Sequence, residues 1–181
     1  MKNIILGVTG SIAAYKAADI ANTLAKEGHS VHVIMTSAAL RFITPLTFQT
    51  LTKNKVYTGL FDEFIYEDVR HISLARQADL ALVAPAGANI IGKLAAGIAD
   101  DMLSTVLMAL ESRQMLICPA MNTAMYENPI VQENIKKLTG YGCRFVEPRE
   151  ARLACGDMGR GALAGTSAII EAVRDMLRDS K

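Results

Sequence analysis

The sequence predicts an α/β fold in which a parallel sheet is covered by helices on both faces. Short apolar segments alternate along the chain with stretches of helical periodicity. The apolar segments lack the polar/apolar alternation of a half-exposed strand, which is typical of strands buried on both sides. Apolar residues make up 51% of the 181 residues, enough for a sizeable core. We therefore predict one domain over residues 1–181, a Rossmann-like three-layer sandwich with a doubly wound sheet.

Composition and charge argue against several classes of protein. The formal net charge is +1 without a basic run, which argues against a nucleic-acid partner. No apolar stretch is long enough to predict a transmembrane helix, so we expect no membrane association. Cys118, Cys143 and Cys155 are odd in number and widely spaced, with no Cys-x-x-Cys pair. This indicates reduced thiols in the cytoplasm, with neither a disulfide framework nor a metal site.

Periodicity and turn residues define the elements in the first half of the chain. The first helix carries apolar residues at helical spacing and ends at Gly28. Thr44 and Pro45 predict a helix start, because threonine caps helices and proline suits the first turn. In chain order we predict a strand over 3–8, a helix over 11–26, a strand over 31–35, the start of a helix over 36–42, a helix from Thr44, a short strand near Val56 and an irregular segment over 60–70.

The second half continues the alternation of strands and helices. The long helical stretch 88–112 is expected in two pieces, because Gly97 and Asp100 interrupt it. Residues 147–165 contain four glycines and are predicted to be a loop. The remaining predictions are a helix over 72–78, a strand over 79–84, a strand over 115–118, a helix over 129–138, a strand over 143–146 and a last helix over 166–177.

The turn after the first predicted strand is rich in glycine but fits no dinucleotide motif. Counted from Gly7, the G-x-G-x-x-G spacing requires glycine where Thr9 and Ile12 stand. The second strand also ends without the carboxylate that would bind a ribose hydroxyl. A Walker loop is excluded as well, because no Gly-Lys-Ser/Thr follows.

What remains is a tight turn at a helix N-terminus, which suits a single phosphate. Gly10, Ser11 and Ile12 form this turn, and Thr36 and Ser37 at the neighbouring strand end could add hydroxyl donors. The combination favours a mononucleotide such as FMN over NAD or ATP. The alternative is that Ser11 only caps its helix.

A second candidate cofactor segment follows the predicted strand 79–84. Its small residues, among them Pro85 and Ala86, would let a planar ring approach the backbone closely. Asn89 begins the next helix and could contact a polar ring edge, and Ser104 in the following helical piece is a further candidate. The alternative is that the small residues serve tight helix packing and that Asp100 caps the next helix.

The loop Pro119-Ala120-Met121-Asn122 follows directly on an apolar strand and precedes helix-like sequence. Open α/β sheets bind their ligands at this end of their strands. The Asn122 amide can hold a carboxylate or a carbonyl without adding charge. Ala120 and Met121 are therefore candidate substrate contacts beside Asn122.

Three further side chains are candidates for chemistry. His71 begins a helix, where it could exchange a proton or hold a carboxylate, or could be merely structural. Cys155 lies in a glycine-rich loop, unlike a packed core cysteine, and a mobile flap could carry it over a substrate. Arg160 in the same loop could attract an anionic substrate or lower the pKa of the thiol. The alternative is a surface loop with an incidental thiol.

Taken together, these segments resemble the homo-oligomeric flavin-containing cysteine decarboxylases. The resemblance covers nearly the whole chain, and each motif is modest alone but specific in this order. The matching segments are Gly7 to Lys16, His71-Ile72, Ala84 to Asn89, Gly97 to Asp100, Pro119 to Asn122 and Leu153 to Gly156.

The resemblance implies FMN as cofactor and a homo-oligomer, a trimer or a larger shell of trimers, with sites between subunits. It implies His71, Asn122 and Cys155 as active-site residues. The implied reaction is decarboxylation of a small molecule of coenzyme A biosynthesis, phosphopantothenoylcysteine. Peptide-modifying members generally lack the reactive cysteine, so Cys155 favours the small-molecule substrate.

The sequence alone leaves other functions open. A peptidyl-cysteine decarboxylase of the same family is the nearest alternative. A flavin prenyltransferase type or a non-catalytic flavin-binding subunit would share the fold. From a different class, Cys155, His71 and Asn122 could form a Cys–His–Asn hydrolase or acyltransferase.

Overall fold

The computed structural model describes residues 1–60, 70–152 and 158–179. Its strands are Asn3–Val8 (β1), Ser30–Met35 (β2), Val56–Tyr57 (β3), Leu80–Ala86 (β4), Met115–Pro119 (β5), Arg144–Phe145 (β6), Arg149–Arg152 (β7) and Met158–Ala162 (β8). Its α-helices are Ala14–Lys26 (α1), Pro45–Thr52 (α2), Arg70–Gln77 (α3), Ala88–Ala96 (α4), Met102–Met108 (α5), Thr123–Tyr126 (α6), Pro129–Gly140 (α7) and Thr166–Asp179 (α8). Short 3₁₀ turns occupy Ala39–Arg41 and Ser112–Gln114.

Six strands form one parallel sheet in the order β3-β2-β1-β4-β5-β6. The chain runs outward from β1 to β3, then returns to place β4 on the other side of β1. The order therefore reverses between β1 and β4, and a crevice opens at the carboxyl ends of these two strands. The remaining two strands, β7 and β8, form a separate antiparallel hairpin.

The sheet separates two hydrophobic layers, because successive side chains of each strand point to opposite faces. On β1, Ile4 and Leu6 join one layer and Ile5 joins the other. Helices α1, α2 and α8 cover the first layer, and α3, α4, α5 and α7 cover the second. Apolar strands buried on both sides produce this three-layer sandwich, which confirms the predicted fold class.

The predicted alternation of strands and helices is confirmed in its order, with differences at the ends of elements. Helix α1 begins at Ala14, three residues after Ser11, because the chain first makes the glycine turn. Residues 36–42 contain only the 3₁₀ turn Ala39–Arg41. The irregular segment predicted over 60–70 lies largely outside the described residues.

The loop predicted over 147–165 is wrong, because this part of the chain contains the β7–β8 hairpin. Glycine is depleted in ordinary strands, so its abundance there indicated a loop. In β8 the glycines serve close packing instead: a Cβ atom on Gly161 would lie 2.2 Å from the Met121 carbonyl oxygen. Sequence patterns do not report such a contact between distant segments.

Within the described part of the chain, no helix combines the length and apolar character needed to cross a membrane.

We predict that the layer formed by α1, α2 and α8 depends on Phe48, which is fully buried. Phe48→Ala should lower the free energy of unfolding by about 3–5 kcal/mol, because it removes apolar contacts and leaves a cavity. Urea denaturation measures this change. Leu46→Ala, at a 69% exposed position on the same helix, is the control and should change stability by less than about 0.5 kcal/mol. Equal effects of the two substitutions would contradict the assignment of this core.

Candidate functional site

Backbone hydrogen bonds link the segments that follow neighbouring strands at the carboxyl edge of the sheet. The Thr36 N–H donates to the Val8 carbonyl at 3.0 Å, joining the ends of β2 and β1. The Ala120 N–H donates to the Ala86 carbonyl at 3.0 Å, joining the ends of β5 and β4. These bonds hold the predicted binding loops in a fixed relation to one another.

The glycine turn presents unused backbone donors at the start of α1. Within the described part of the chain, the N–H groups of Gly10, Ser11 and Ile12 donate to no acceptor. A Cβ atom on Gly10 would lie 2.5 Å from the Cβ atom of Ala38, so only glycine lets the turn pack this closely. Free N–H groups beside a helix N-terminus favour an anion, which suits the phosphate of a mononucleotide.

A cavity of 480 Å³ lies next to this turn. Its volume falls within the range of about 300–1,000 Å³ that is usual for small-molecule sites. It brings together three segments distant in sequence: the glycine turn with α1, the loop after β5, and the β7–β8 hairpin. The lining residues are Ser11, Ile12, Ala13, Tyr15, Lys16, Ala120, Met121, Asn122, Arg149, Ala151, Gly161, Ala162 and Leu163. Five of them, Ser11, Ile12, Ala120, Met121 and Asn122, are among the predicted site residues.

Asn122 lies in this cavity with a defined amide orientation. It is the N-cap of α6, and its Oδ1 accepts a hydrogen bond from the Ala124 N–H at 2.9 Å. The capping bond assigns Oδ1 to the helix, so Nδ2 is the side of the amide that can donate. A carboxylate requires a donor, and the role of Asn122 in holding one stays a prediction.

The hairpin packs directly onto the loop that carries Asn122. The Met121 N–H donates to the Gly161 carbonyl at 2.9 Å. A Cβ atom on Gly159 would meet the Thr123 side chain, so a larger residue there would force Thr123 to move. The hairpin thus forms one wall of the cavity and supports the backbone on either side of Asn122.

Two cationic side chains line the cavity, and sequence reasoning did not single out either as a ligand contact. Lys16 comes from α1 and Arg149 from β7. No carboxylate of the described residues pairs with either one. Partial burial, together with the positive charge of Arg149, lowers the pKa of Lys16. An anionic group bound between them would relieve this repulsion, so the cavity favours an anionic ligand.

The sequence could have predicted one of these two cations as a cavity residue, but not the other. Lys16 stands within the helix that follows the glycine turn, one turn beyond Ile12, and its position could have indicated it. Arg149 carries no such signal, because its place in the cavity depends on the hairpin.

Arg160, a predicted substrate contact, is not brought to the cavity. Its guanidinium pairs with Glu147 at 2.8 Å and lies 5.7 Å from the centre of the Tyr126 ring. The Tyr126 hydroxyl donates to the same Glu147 carboxylate at 2.7 Å. Burial and the bond to Glu147 raise the pKa of Tyr126. This cluster ties β8 to α6 and occupies Arg160 away from the ligand space.

His71 and Asn122 are not brought together within one chain. His71 lies at the start of α3, which packs against α5 in the second hydrophobic layer, and it does not line the cavity. Cys155 lies outside the described residues. The described residues therefore give no support to a Cys–His–Asn hydrolase built from a single chain.

The candidate cofactor contacts near the carboxyl edge divide into accessible and buried groups. Ser37 and Asn89 are exposed, and Thr36 is partly exposed. The Thr36 hydroxyl accepts from the Ala39 N–H at 3.3 Å, at the first residue of the 3₁₀ turn. These three polar side chains remain compatible with a bound ligand.

Pro85 and Ala86 belong to β4, and both are buried. Their side chains are therefore not exposed to a ligand in the crevice. Ser104 is fully buried, and its hydroxyl accepts from the Asp101 N–H at 3.1 Å in a capping box. Asp101 caps α5, in place of Asp100, which pairs with Lys93 at 2.6 Å. Capping of α5 is thus the contact that the structure shows for the Ser104 hydroxyl.

The described residues contain no cluster of three or more potential metal ligands. Cys118 and Cys143 are both buried, and burial raises the pKa of each thiol. Both therefore behave as neutral core residues and not as nucleophiles.

Known proteins are similar in sequence to this chain over nearly its full length. A probable phosphopantothenoylcysteine decarboxylase of Streptococcus mutans is 49% identical over 97% of this chain and 99% of its own length. The coenzyme A biosynthesis bifunctional protein CoaBC of Bacillus subtilis is 48% identical over 94% of this chain. The match spans 42% of that longer relative.

Solved structures also resemble this chain over nearly its full length. A PPC decarboxylase mutant complexed with pantothenoylaminoethenethiol has a TM-score of 0.88 and 31% identity, covering 98% of each chain. The FMN binding protein AtHal3 has a TM-score of 0.84 and 31% identity, covering 98% of this chain and 97% of its own.

These relatives confirm the resemblance inferred from the sequence motifs. The family model described as Flavoprotein matches residues 1–178. The chain therefore belongs to the Flavoprotein family.

Proposed function

We propose that this chain is an FMN-dependent decarboxylase that converts phosphopantothenoylcysteine to phosphopantetheine in coenzyme A biosynthesis. The proposal rests on the 480 Å³ cavity, where a glycine turn at a helix N-terminus meets the Asn122 amide and two cations that pair with no carboxylate of the described residues. The relatives named for this activity support the same assignment. Net reaction replaces the cysteine carboxylate by a proton, so no external oxidant is consumed.

The residues present fit FMN at the carboxyl edge of the sheet. The N–H groups of Gly10, Ser11 and Ile12, which donate to no acceptor among the described residues, would hold its phosphate. The exposed side chains of Ser37 and Asn89 would contact its polar groups. When bound, FMN supplies a reversible two-electron acceptor for the cysteine side chain, which makes loss of CO₂ feasible.

Asn122 would hold the leaving carboxylate. Its Oδ1 is held by the N-cap bond to Ala124, which directs Nδ2 as a donor. A donor fixed in this way orients the carboxylate before it leaves and costs no rearrangement of the loop. Ala120 and Met121 line the same wall and would contact the rest of the cysteine unit.

Lys16 and Arg149 would bind the phosphate of the substrate. Both line the cavity, they come from different elements, and neither pairs with a carboxylate of the described residues. The sequence analysis predicted that Arg160 attracts the anionic substrate, but its guanidinium is paired with Glu147. We therefore assign this role to Lys16 and Arg149.

His71 and Cys155 would complete the chemistry as positioning group and proton donor. Because the cavity of one chain does not include His71, we propose that a second copy supplies it, in a trimer or a larger assembly of trimers. Cys155 would protonate the decarboxylated product, as the family resemblance implies. The proposed location is the cytoplasm, where reduced thiols persist.

The direct test is a reaction with phosphopantothenoylcysteine, followed by release of CO₂ and formation of phosphopantetheine by mass spectrometry. A peptide with a C-terminal cysteine, supplied at the same concentration, separates the nearest alternative. We expect turnover of the small molecule alone. Turnover of the peptide alone would contradict the proposal and favour a peptidyl-cysteine decarboxylase.

We predict that Asn122→Asp abolishes turnover while the protein stays folded. Aspartate is as good an N-cap as asparagine, so the bond to Ala124 survives. The donor, however, is replaced by a negative charge that repels the substrate carboxylate. The expected loss of kcat/KM is at least about 100-fold, equal to about 2.7 kcal/mol, with the melting temperature within a few degrees of the parent. Parent-like kcat/KM in this variant would remove Asn122 from the mechanism.

We predict that Lys16→Gln and Arg149→Gln each weaken binding of the phosphorylated substrate. KM for phosphopantothenoylcysteine should rise about tenfold or more per charge removed, because a charge-assisted bond of about 1.5–3 kcal/mol is lost. KM for the same compound without phosphate should change little. Arg113→Gln, at an exposed arginine outside this cavity, is the matched control. Equal increases of KM for both substrates would contradict a phosphate contact.

A further inference from the structure

The loops after β1 and β4 are joined by one buried side chain, Thr9. Its hydroxyl donates to the Pro85 carbonyl at 2.7 Å and accepts from the Gly87 N–H at 3.1 Å. The Thr9 backbone N–H also donates to the Pro85 carbonyl at 3.3 Å. Thr9 is only 6% exposed, so these bonds are shielded from water.

The Thr9 bridge lies at the base of the crevice in which ligands of this fold bind. β1 and β4 are the neighbouring strands at which the strand order reverses, and the ligand crevice opens between their carboxyl ends. On one side of Thr9 stand Gly10 and Ser11 with their unused donors. On the other side stand Gly87, the N-cap of α4, and the exposed Asn89. A single hydroxyl therefore spans the crevice at its base.

The hydroxyl is needed for two bonds at once. It is a donor to a carbonyl and an acceptor from an N–H, which only a hydroxyl can provide in so small a volume. A Cβ atom on Gly87 would lie at an ordinary contact distance of 3.7 Å from Thr9 Oγ1, so the bridge depends on the Gly87 N–H and not on its missing side chain. A valine of the same shape would leave the Gly87 N–H without its partner in a buried place.

We propose that Thr9 is a positioning residue for the flavin, which sets the separation of the phosphate-binding turn from the loop that follows β4. This inference rests on the proposed function, because it takes FMN as the ligand of the crevice. With the hydroxyl in place, both loops are already in register before FMN arrives. Without it, binding of FMN must order the two loops, and its affinity falls by that cost.

The test compares FMN binding to apoprotein by parent, Thr9→Val and Thr9→Ser, measured by flavin fluorescence. The dissociation constant of Thr9→Val should rise about tenfold or more, whereas Thr9→Ser should remain within about threefold of the parent. Hydrogen exchange of the Gly87 amide, followed in the apoprotein, should accelerate in Thr9→Val and not in Thr9→Ser. The matched control is Thr23→Val, which removes a threonine hydroxyl from α1 that bonds Asp19 within the helix.

Each outcome decides the proposal. A lower melting temperature in Thr9→Val with an unchanged FMN dissociation constant would overturn it, because Thr9 would then be only structural. If Thr9→Val does not fold, the pair Thr9→Ser and Thr9→Ala isolates the same hydroxyl, and equal FMN affinities in this pair would overturn the proposal. A parent protein that does not bind FMN would overturn the proposed function itself, and this result is distinct from a variant that binds as tightly as the parent.

Discussion

β1 pairs in parallel with β2 on one side and with β4 on the other, and this pairing sets the positions of the helices, the loops and the candidate site. The register runs from Asn3 opposite Ser30 to Val8 opposite Met35, and from Ile4 opposite Leu80 to Gly7 opposite Val83. Since all three strands run in the same direction, their following loops emerge together at one edge. A slip of one residue would exchange the two hydrophobic layers and move every loop, so the buried side chains on both faces fix the site as well as the fold.

Close packing by small residues turns this edge into a cavity. Gly10 lets the first loop approach Ala38, and Gly159 and Gly161 let the hairpin approach the loop that carries Asn122. A Cβ atom on Gly10 or Gly161 would collide with Ala38 or with the Met121 carbonyl, and one on Gly159 would displace the Thr123 side chain. The polar groups of the site are then held by backbone bonds and by the N-cap of α6. Lys16 and Arg149 line the ligand space, and no carboxylate of the described residues pairs with them. Rigid packing and unsatisfied charge together define what can bind there.

Much of this arrangement could be predicted from the sequence, because it follows from local patterns. The loop of Asn122 was identifiable because it follows an apolar strand, and the glycine turn because it follows the first one. Arg149 could not be predicted as a cavity residue, because its position depends on the β7–β8 hairpin. The glycines of that segment predicted a loop instead. Ser104 looked like an available hydroxyl, yet the cap of α5 uses it. Arg160 looked available for a substrate, yet Glu147 and Tyr126 hold it, and such contacts between distant segments leave no trace in periodicity.

If the crevice between β1 and β4 binds a flavin, the purified protein should carry that cofactor. The most direct measurement is the visible absorption spectrum of the purified protein, with the released cofactor identified and quantified after denaturation. We expect a yellow protein with the absorption bands of an oxidised flavin and about one FMN per chain. A colourless protein that releases no flavin, and that acquires none when incubated with FMN, would contradict this expectation.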